Sequence, residues 1–313
     1  MKRFLIKLML FFVLVFGLAW GVDYAISKGL LEMEDYRFMS WHDMLQGGID
    51  ADVVIMGNSR ALSHFEPWTI DSICGTHSYN LGMGGYAISV ETLKYHCYRL
   101  HNKKPRYIIQ QVDYHTIRSD FAPHQHESEQ FLPLIYDKGM HKELLRVGYK
   151  PLDVFCPLYR YFGYQMVIKN GLLEFFGLKH YVNNPSRQGH HYEEGRWDGT
   201  ELAKMESIVA KMDQEGKQHF VEYMKTCHNE GIKVVLVNSP TYIGATKKTI
   251  GADAMDAYFD SIAHCYDSYY LNYSVDYDLC ADTNNFCVSV HMNPQATHRF
   301  SIDFANDFKR FLE

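Results

Sequence analysis

The chain reads as an α/β protein with a doubly wound, parallel central sheet. Three short, mainly apolar runs, Val53 to Met56, Tyr107 to Val112 and Val234 to Asn238, suit strands buried on both faces. Stretches with helical periodicity separate them, and such alternation is the pattern that lays helices over both faces of a parallel sheet. The third observation is a final amphipathic helix in which Phe300, Phe304, Phe308 and Phe311 recur at four- and three-residue spacings, a stripe made for packing on that sheet.

At the amino end, Met1-Lys2-Arg3 precedes a segment from Phe4 to Val22 that is broken only by Lys7. Its uncharged core, Leu8 to Val22, is slightly short for the hydrocarbon layer; Phe4 to Ile6 extend it if Lys7 snorkels toward the headgroups. The segment has no polar face at a period of 3.6, which excludes an ordinary amphipathic core helix. Basic residues ahead of it predict a cytoplasmic amino terminus and a soluble body on the extracytoplasmic side, in the periplasm or at the cell surface. Gly17-Leu18-Ala19 offers small residues for cleavage, whereas bulky Trp20 and the dense Phe and Leu core favour a retained single-pass anchor. Residues 1–28 are therefore expected to be an anchor or signal segment, 29–49 a juxtamembrane helix or linker, and 50–313 the α/β domain.

Within that domain, Val90 to His101 reads as a helix. Ile208 to Asn229 reads as a longer one, with Phe220, Tyr223, Met224 and Cys227 on one face and Gly231 as its stop. From about 118 to 200 the alternation fades, and a structureless loop of that length is unusual in a compact domain, so a helical insertion over the sheet edge is expected. His124-Gln125-His126 and His190-His191 lie in or beside it. Adjacent histidines point in different directions and no carboxylate stands at a ligand-like spacing, so they read as solvated loop residues, and neither a metal nor a cofactor is called for.

Composition narrows the partners. Thirty-one basic against 37 acidic residues give a net charge of -6, and no basic stripe is present to follow a phosphate backbone, which excludes nucleic acid. The 15% aromatic content suits packing before it suits sugar stacking. Seven cysteines form no Cys-x-x-Cys pair; in an exported body Cys280 and Cys287 are close enough in sequence to bridge.

The chemistry-bearing residues cluster where strands end. Asp52-Val53-Val54-Ile55-Met56 runs into Gly57-Asn58-Ser59-Arg60, which puts the Ser59 hydroxyl at the carboxyl end of a parallel strand, where open α/β sheets bind ligands. Gly57 can turn the chain sharply enough to present that side chain. Asn80-Leu81-Gly82-Met83-Gly84-Gly85 follows the next strand-like stretch and offers backbone N–H groups, while His291-Met292-Asn293 brings a candidate base just ahead of the last helix. A serine nucleophile needs a base and oxyanion donors, and these usually arrive on separate loops. Asn238 and Ser239, ending another core strand, are candidate substrate contacts without a catalytic role.

Together these blocks resemble the SGNH (GDSL-like) hydrolase superfamily, above all its membrane-anchored, cell-surface branch, which includes the D-alanyl transfer protein of teichoic acid modification and the O-acetyltransferases of exported polysaccharides. Ile55 to Arg60 looks like the first block, Asn80 to Gly85 the second, and His291 to Asn293 with Ala296 and Ser301 the last. The resemblance covers about half of the chain. It implies a flavodoxin-like three-layer sandwich with Ser59 as nucleophile, His291 as general base, and the Gly85 and Ser59 N–H groups as oxyanion donors. Two positions depart from it. The third block usually offers an asparagine where Gln110-Gln111-Val112-Asp113 stands, and an ionised Asp113 would repel an oxyanion unless protonated, rotated away or used to orient something else. The family aspartate three residues before the histidine is Val288, leaving a backbone carbonyl, Asp282 or Ser289 to replace it.

The resemblance implies an exported serine acyl hydrolase or O-acyltransferase acting on acylated envelope glycans or other envelope esters, with a possible membrane protein as acyl donor. Val288 and Asp113 keep open an alternative: a catalytically impaired accessory protein that binds glycan or a partner enzyme.

Overall fold

The computed structural model describes residues 1–119, 127–275 and 277–312. Along the chain the elements used below are α1 (Lys2–Glu32), β1 (Val53–Met56), α2 (Ser59–His64), α3 (Pro67–Cys74), β2 (Ser78–Asn80), α4 (Ile88–His101), β3 (Tyr107–Gln111), α5 (Gln165–Phe175), α6 (Gln214–Asn229), β4 (Lys233–Asn238), α7 (Ala252–Cys265), β5 (Tyr269–Asn272) and α8 (Pro294–Phe308). They fall into two compact units, one of residues 1–45 and 123–185, the other of 46–122 and 186–313.

The larger unit is a five-stranded parallel sheet in the order β2-β1-β3-β4-β5. That is the flavodoxin-like order, with β1 and β3 flanking the point where the chain reverses its direction of travel across the sheet. Alternate residues of each strand face opposite sides. Val53, Ile55, Tyr107, Ile109, Val235 and Val237 pack on one side with Phe65 and Ile70 and with Phe300, Phe304 and Phe308 of α8. The aromatic stripe therefore lies where its spacing put it. The helices α4, α6 and α7 carry their own buried rows, including Leu93, Phe220 and Phe259.

One helix boundary and one strand differ from the sequence reading. The helix expected from Ile208 begins only at Gln214, because Ile208–Val209 is drawn into a short parallel pair with Thr249–Ile250. Strand β5 carried no apolar signal: Tyr269 is exposed at the sheet edge and the next three residues are half-buried. Cys280 and Cys287 do not bridge; both thiols are free, Cys280 directed at the Tyr273 carbonyl and Cys287 at that of Glu193. His190 is buried, not solvated, at 2% exposure, with the edges of Trp68 and Tyr192 against its ring. His124 and His126 lie outside the described residues.

In the smaller unit, α1 is one unbroken helix of 31 residues, long and apolar enough to cross a membrane, with residues 4–16 all exposed. Its last turns are packed against α5, where Gly29 and Gly171 meet so closely that a Cβ on Gly29 would stand 1.9 Å from the Gly171 carbonyl oxygen. Residues after the helix, read as a juxtamembrane helix or linker, include a short strand and a helix. Glu34–Asp35 pairs in parallel with Val182–Asn183, and the helix Tyr36–Gln46 buries Phe38, Trp41 and Met44. Asp23, fully buried at the foot of the apolar run, accepts from both terminal guanidinium nitrogens of Arg160 at 2.7 and 2.6 Å, from the Leu158 N–H at 2.6 Å and from the Tyr136 hydroxyl at 2.6 Å.

A buried carboxylate answered so completely is tolerable, but stripped of its cation it is not. Arg160→Met should destabilise this unit by about 3–5 kcal/mol, measured by denaturant unfolding of the detergent-solubilised chain; a loss below about 1 kcal/mol would contradict the assignment of Asp23 as a buried charge.

Candidate active site

β1 ends at Met56, and Gly57 makes the turn. Its φ of 136° lies in a region that favours glycine, and a Cβ there would stand 2.9 Å from Ala61, Gln111 Cβ and Gln111 Oε1. Asn58 caps α2 by accepting the Arg60 N–H at 3.0 Å, so that Ser59 is the first helical residue. Residues 80–85 are laid against α2: the Asn80 side-chain amide donates to the Ala61 carbonyl at 2.7 Å, and the Met83 N–H reaches the Gly57 carbonyl at 2.9 Å. Gly85 follows with φ 75°, in a tight turn ahead of α4.

His291 lies in a two-residue strand paired antiparallel with Phe286–Val288, and Asn293 then caps α8. Its Nε2 stands 2.8 Å from Ser59 Oγ although 232 positions separate the two in sequence. Both side chains are half-buried at the rim, neither sealed nor free in solvent. Among the described residues no carboxylate bonds the other ring nitrogen. Asp282 caps its own turn through the Asn284 N–H, and Val288, cross-strand partner of His291, is apolar. Ser289 contributes its carbonyl to the Tyr242 N–H.

Asp113 is fully committed elsewhere. Its Oδ2 accepts from Asn58 Nδ2 at 2.7 Å, Gln111 Nε2 at 3.1 Å and Arg60 Nε at 3.1 Å, with Arg60 Nη2 at 2.7 Å, while Oδ1 accepts the His115 N–H at 2.6 Å. Burial pushes its pKa up, but the Arg60 and His115 charges and these hydrogen bonds overcome that and hold it well below the usual carboxylate range. The carboxylate is thus ionised and turned onto Arg60 and Asn58.

Two residues that sequence reasoning passed over complete the frame. Arg60, nearly buried, also donates from Nη1 to the Ser239 carbonyl at 2.9 Å and to Asn238 Oδ1 at 3.3 Å. His64, at the far end of α2 and wholly buried, accepts the Met292 N–H on Nε2 at 3.1 Å, which leaves Nδ1 protonated to donate to Ser239 Oγ at 3.0 Å. The available signal was their spacing: on the short helix that starts at Ser59, a cation and an imidazole in an otherwise apolar and small-residue run demand buried partners. Asn238 and Ser239, read as substrate contacts, are part of this frame.

Burial, reinforced by the Arg60 charge, lowers the His291 pKa to about 4, so its ring is neutral at pH 7 and can accept a proton. Burial likewise takes His190 down to about 4 and His64 well below 6.5.

No protein-family model matches the chain, and no curated protein does. Among solved structures, a Bacteroides fragilis protein provisionally described as an acylhydrolase is similar at a TM-score of 0.38 and 10% identity, over 90% of this chain and 98% of that one. A likeness at that level carries nothing about the chemistry here.

The three neutral histidines give the acid stability a sign. Their folded pKa values lie below the unfolded value of 6.5, so the unfolded chain takes up protons that the native one refuses, and stability falls as pH drops from about 6.5 toward 4. His190→Gln, which removes one titrating ring, should make Tm fall less steeply across that window; an unchanged slope would contradict a buried neutral His190.

Proposed function

We propose that this chain is a serine acyl hydrolase or O-acyltransferase of the SGNH-like kind, anchored in a membrane by α1 and acting on acyl esters of envelope glycans. The observation that carries the reading is the 2.8 Å contact between Ser59 Oγ and His291 Nε2 at the carboxyl rim of a parallel sheet. In the reaction, Ser59 Oγ bonds to the acyl carbonyl carbon as its proton passes to His291 Nε2. The oxyanion is received by the N–H groups of Ser59 and Gly85, and His291 returns the proton to the departing alcohol. Water or a sugar hydroxyl then gives its proton to His291 and takes the acyl group from Ser59, and His291 hands that proton to the departing Ser59 Oγ. Asp113 is a positioning residue, holding Arg60 and Asn58 under the nucleophile.

Retention of α1 is supported by its form. The small residues at 17–19 lie in mid-helix, whereas nicking favours exposed loops, and Trp20, Tyr24 and Tyr136 cluster at the end of the apolar run with ring centroids 5.3–6.0 Å apart, like the aromatic belts of membrane interfaces. The soluble body then lies on the extracytoplasmic side, opposite the basic amino terminus.

A serine-directed fluorophosphonate should label the chain at Ser59, and Ser59→Ala should abolish labelling and ester turnover. His291→Gln should lower both by about 10³-fold or more; labelling indifferent to either substitution would overturn the proposal.

Because the base must be neutral, kcat/KM should hold down to acid pH and fall with a midpoint near 4 instead of near 6.5. Val288→Asp places a carboxylate across from the ring; it should move that limb back up toward 6.5 and raise turnover about tenfold or more. A pH–rate profile of the variant that matched the parent would contradict the missing-carboxylate account.

The same vacancy beside His291 favours one second reading, an accessory protein that binds glycan or a partner enzyme without turnover. Glycan binding that survives Ser59→Ala, with no ester cleavage by the parent chain, would select it.

A further inference from the structure

The smaller unit holds a cavity of about 910 Å³ that the reaction at Ser59 does not use. One wall is made by Val22 and Ile26 of α1, the others by Leu132 and by the aromatic-rich stretch from 148 to 168, including Tyr161 and Ile168. The volume lies within the range of small-molecule sites. Its place along α1 is informative: Val22 is the last residue of the apolar run and Ile26 is one turn further, so the cavity opens within about 6 Å of where the hydrocarbon layer would end.

The rim is apolar and exposed where a soluble surface would be polar. Phe162 is 92% exposed and Tyr159 close to half. The Trp20, Tyr24 and Tyr136 cluster stands at the same level of α1. Tyrosines and three charged residues, Lys150, Asp153 and Arg160, are interspersed with the apolar side chains of the lining. Arg160 is consumed by Asp23, whereas the Lys150 ammonium has no partner among the described residues and only its backbone N–H is held, by Asp153 at 2.8 Å.

Resting on the reading of α1 as a membrane anchor, we propose that this cavity is a phospholipid site: one acyl chain enters past Phe162 to lie against Val22, Ile26 and Ile168, and the phosphate stays at the mouth beside Lys150. An apolar chain fits the apolar side of the lining, the Lys150 ammonium fits the phosphate, and continuity with the exposed face of α1 gives the lipid its path of entry. A sugar would have to reach the polar groups of the lining through an exposed apolar rim.

The test uses the full chain in phosphatidylcholine nanodiscs doped with phosphatidylglycerol bearing a mid-chain diazirine, with adducts mapped by peptide mass spectrometry. Adducts are expected in 158–168 as well as along residues 4–22, and unlabelled phosphatidylglycerol should compete both. Gln165→Trp, at an exposed position on the lining, should cut the 158–168 adducts about fivefold or more while leaving those on α1; Phe162→Ser, altering only the rim, should weaken them in the same sense. Adducts confined to residues 4–22, adducts in 158–168 that ignore both substitutions, or protection by a soluble oligosaccharide in place of lipid would overturn the proposal. Extraction of the chain from membranes by alkaline carbonate would sink the anchor reading and this inference with it, whereas retention in the membrane without cavity adducts would sink this inference alone.

Discussion

Arg60 carries a full charge into the floor beneath Ser59, and a buried guanidinium persists only when its donors are answered. The Asp113 carboxylate, the Asn238 side chain and the Ser239 carbonyl answer it, so one side chain from the start of α2 ties together the ends of β1, β3 and β4. The chain of bonds continues from Ser239 Oγ to His64, from His64 to the Met292 N–H, and from the neighbouring His291 back to Ser59. Its members form a closed circuit, and the contact between Ser59 and His291 is its last link. Removing one member leaves a buried donor or charge unanswered, which costs more than the bond itself was worth.

The same circuit shapes the electrostatics. Arg60 stands near enough to His291 to help burial keep the imidazole neutral, and Asp113, committed to Arg60, offsets only part of that. Val288 supplies nothing in its place. The result is a base that is available to accept a proton over a wide pH range but that gains little from holding one, a different compromise from the Ser-His-Asp triad, in which an aspartate stabilises the imidazolium.

Much of the fold was legible because it rests on local signals. β1 coincides with the apolar run Val53–Met56, α8 with the phenylalanine spacing, and Gly57 with the need for a turn. β5 was missed because an edge strand shows water one side and loses the unbroken apolar run. The partnership of residues 1–45 with 123–185 was invisible because it depends on pairings such as Glu34 with Val182 and on the near contact of Gly29 with Gly171, each across more than a hundred residues. In the site, Ser59 and His291 could be nominated from their loops. What Asp113 does could not, since an aspartate is read as a charge until the arginine that occupies it is seen. Arg60 and His64 carried a signal in their spacing, but the partners that answer them lie on other elements and could not be named from it.

The account turns on whether Ser59 and the His291 ring share a proton within that circuit. Nitrogen-15 NMR of the histidine-labelled chain reads this directly. The account predicts a His291 ring that stays neutral until the pH approaches 4, protonated on Nδ1, with an Nε2 resonance that moves when Ser59 is replaced by alanine. A His291 that titrates near 6.5 and whose Nε2 ignores that replacement would contradict it.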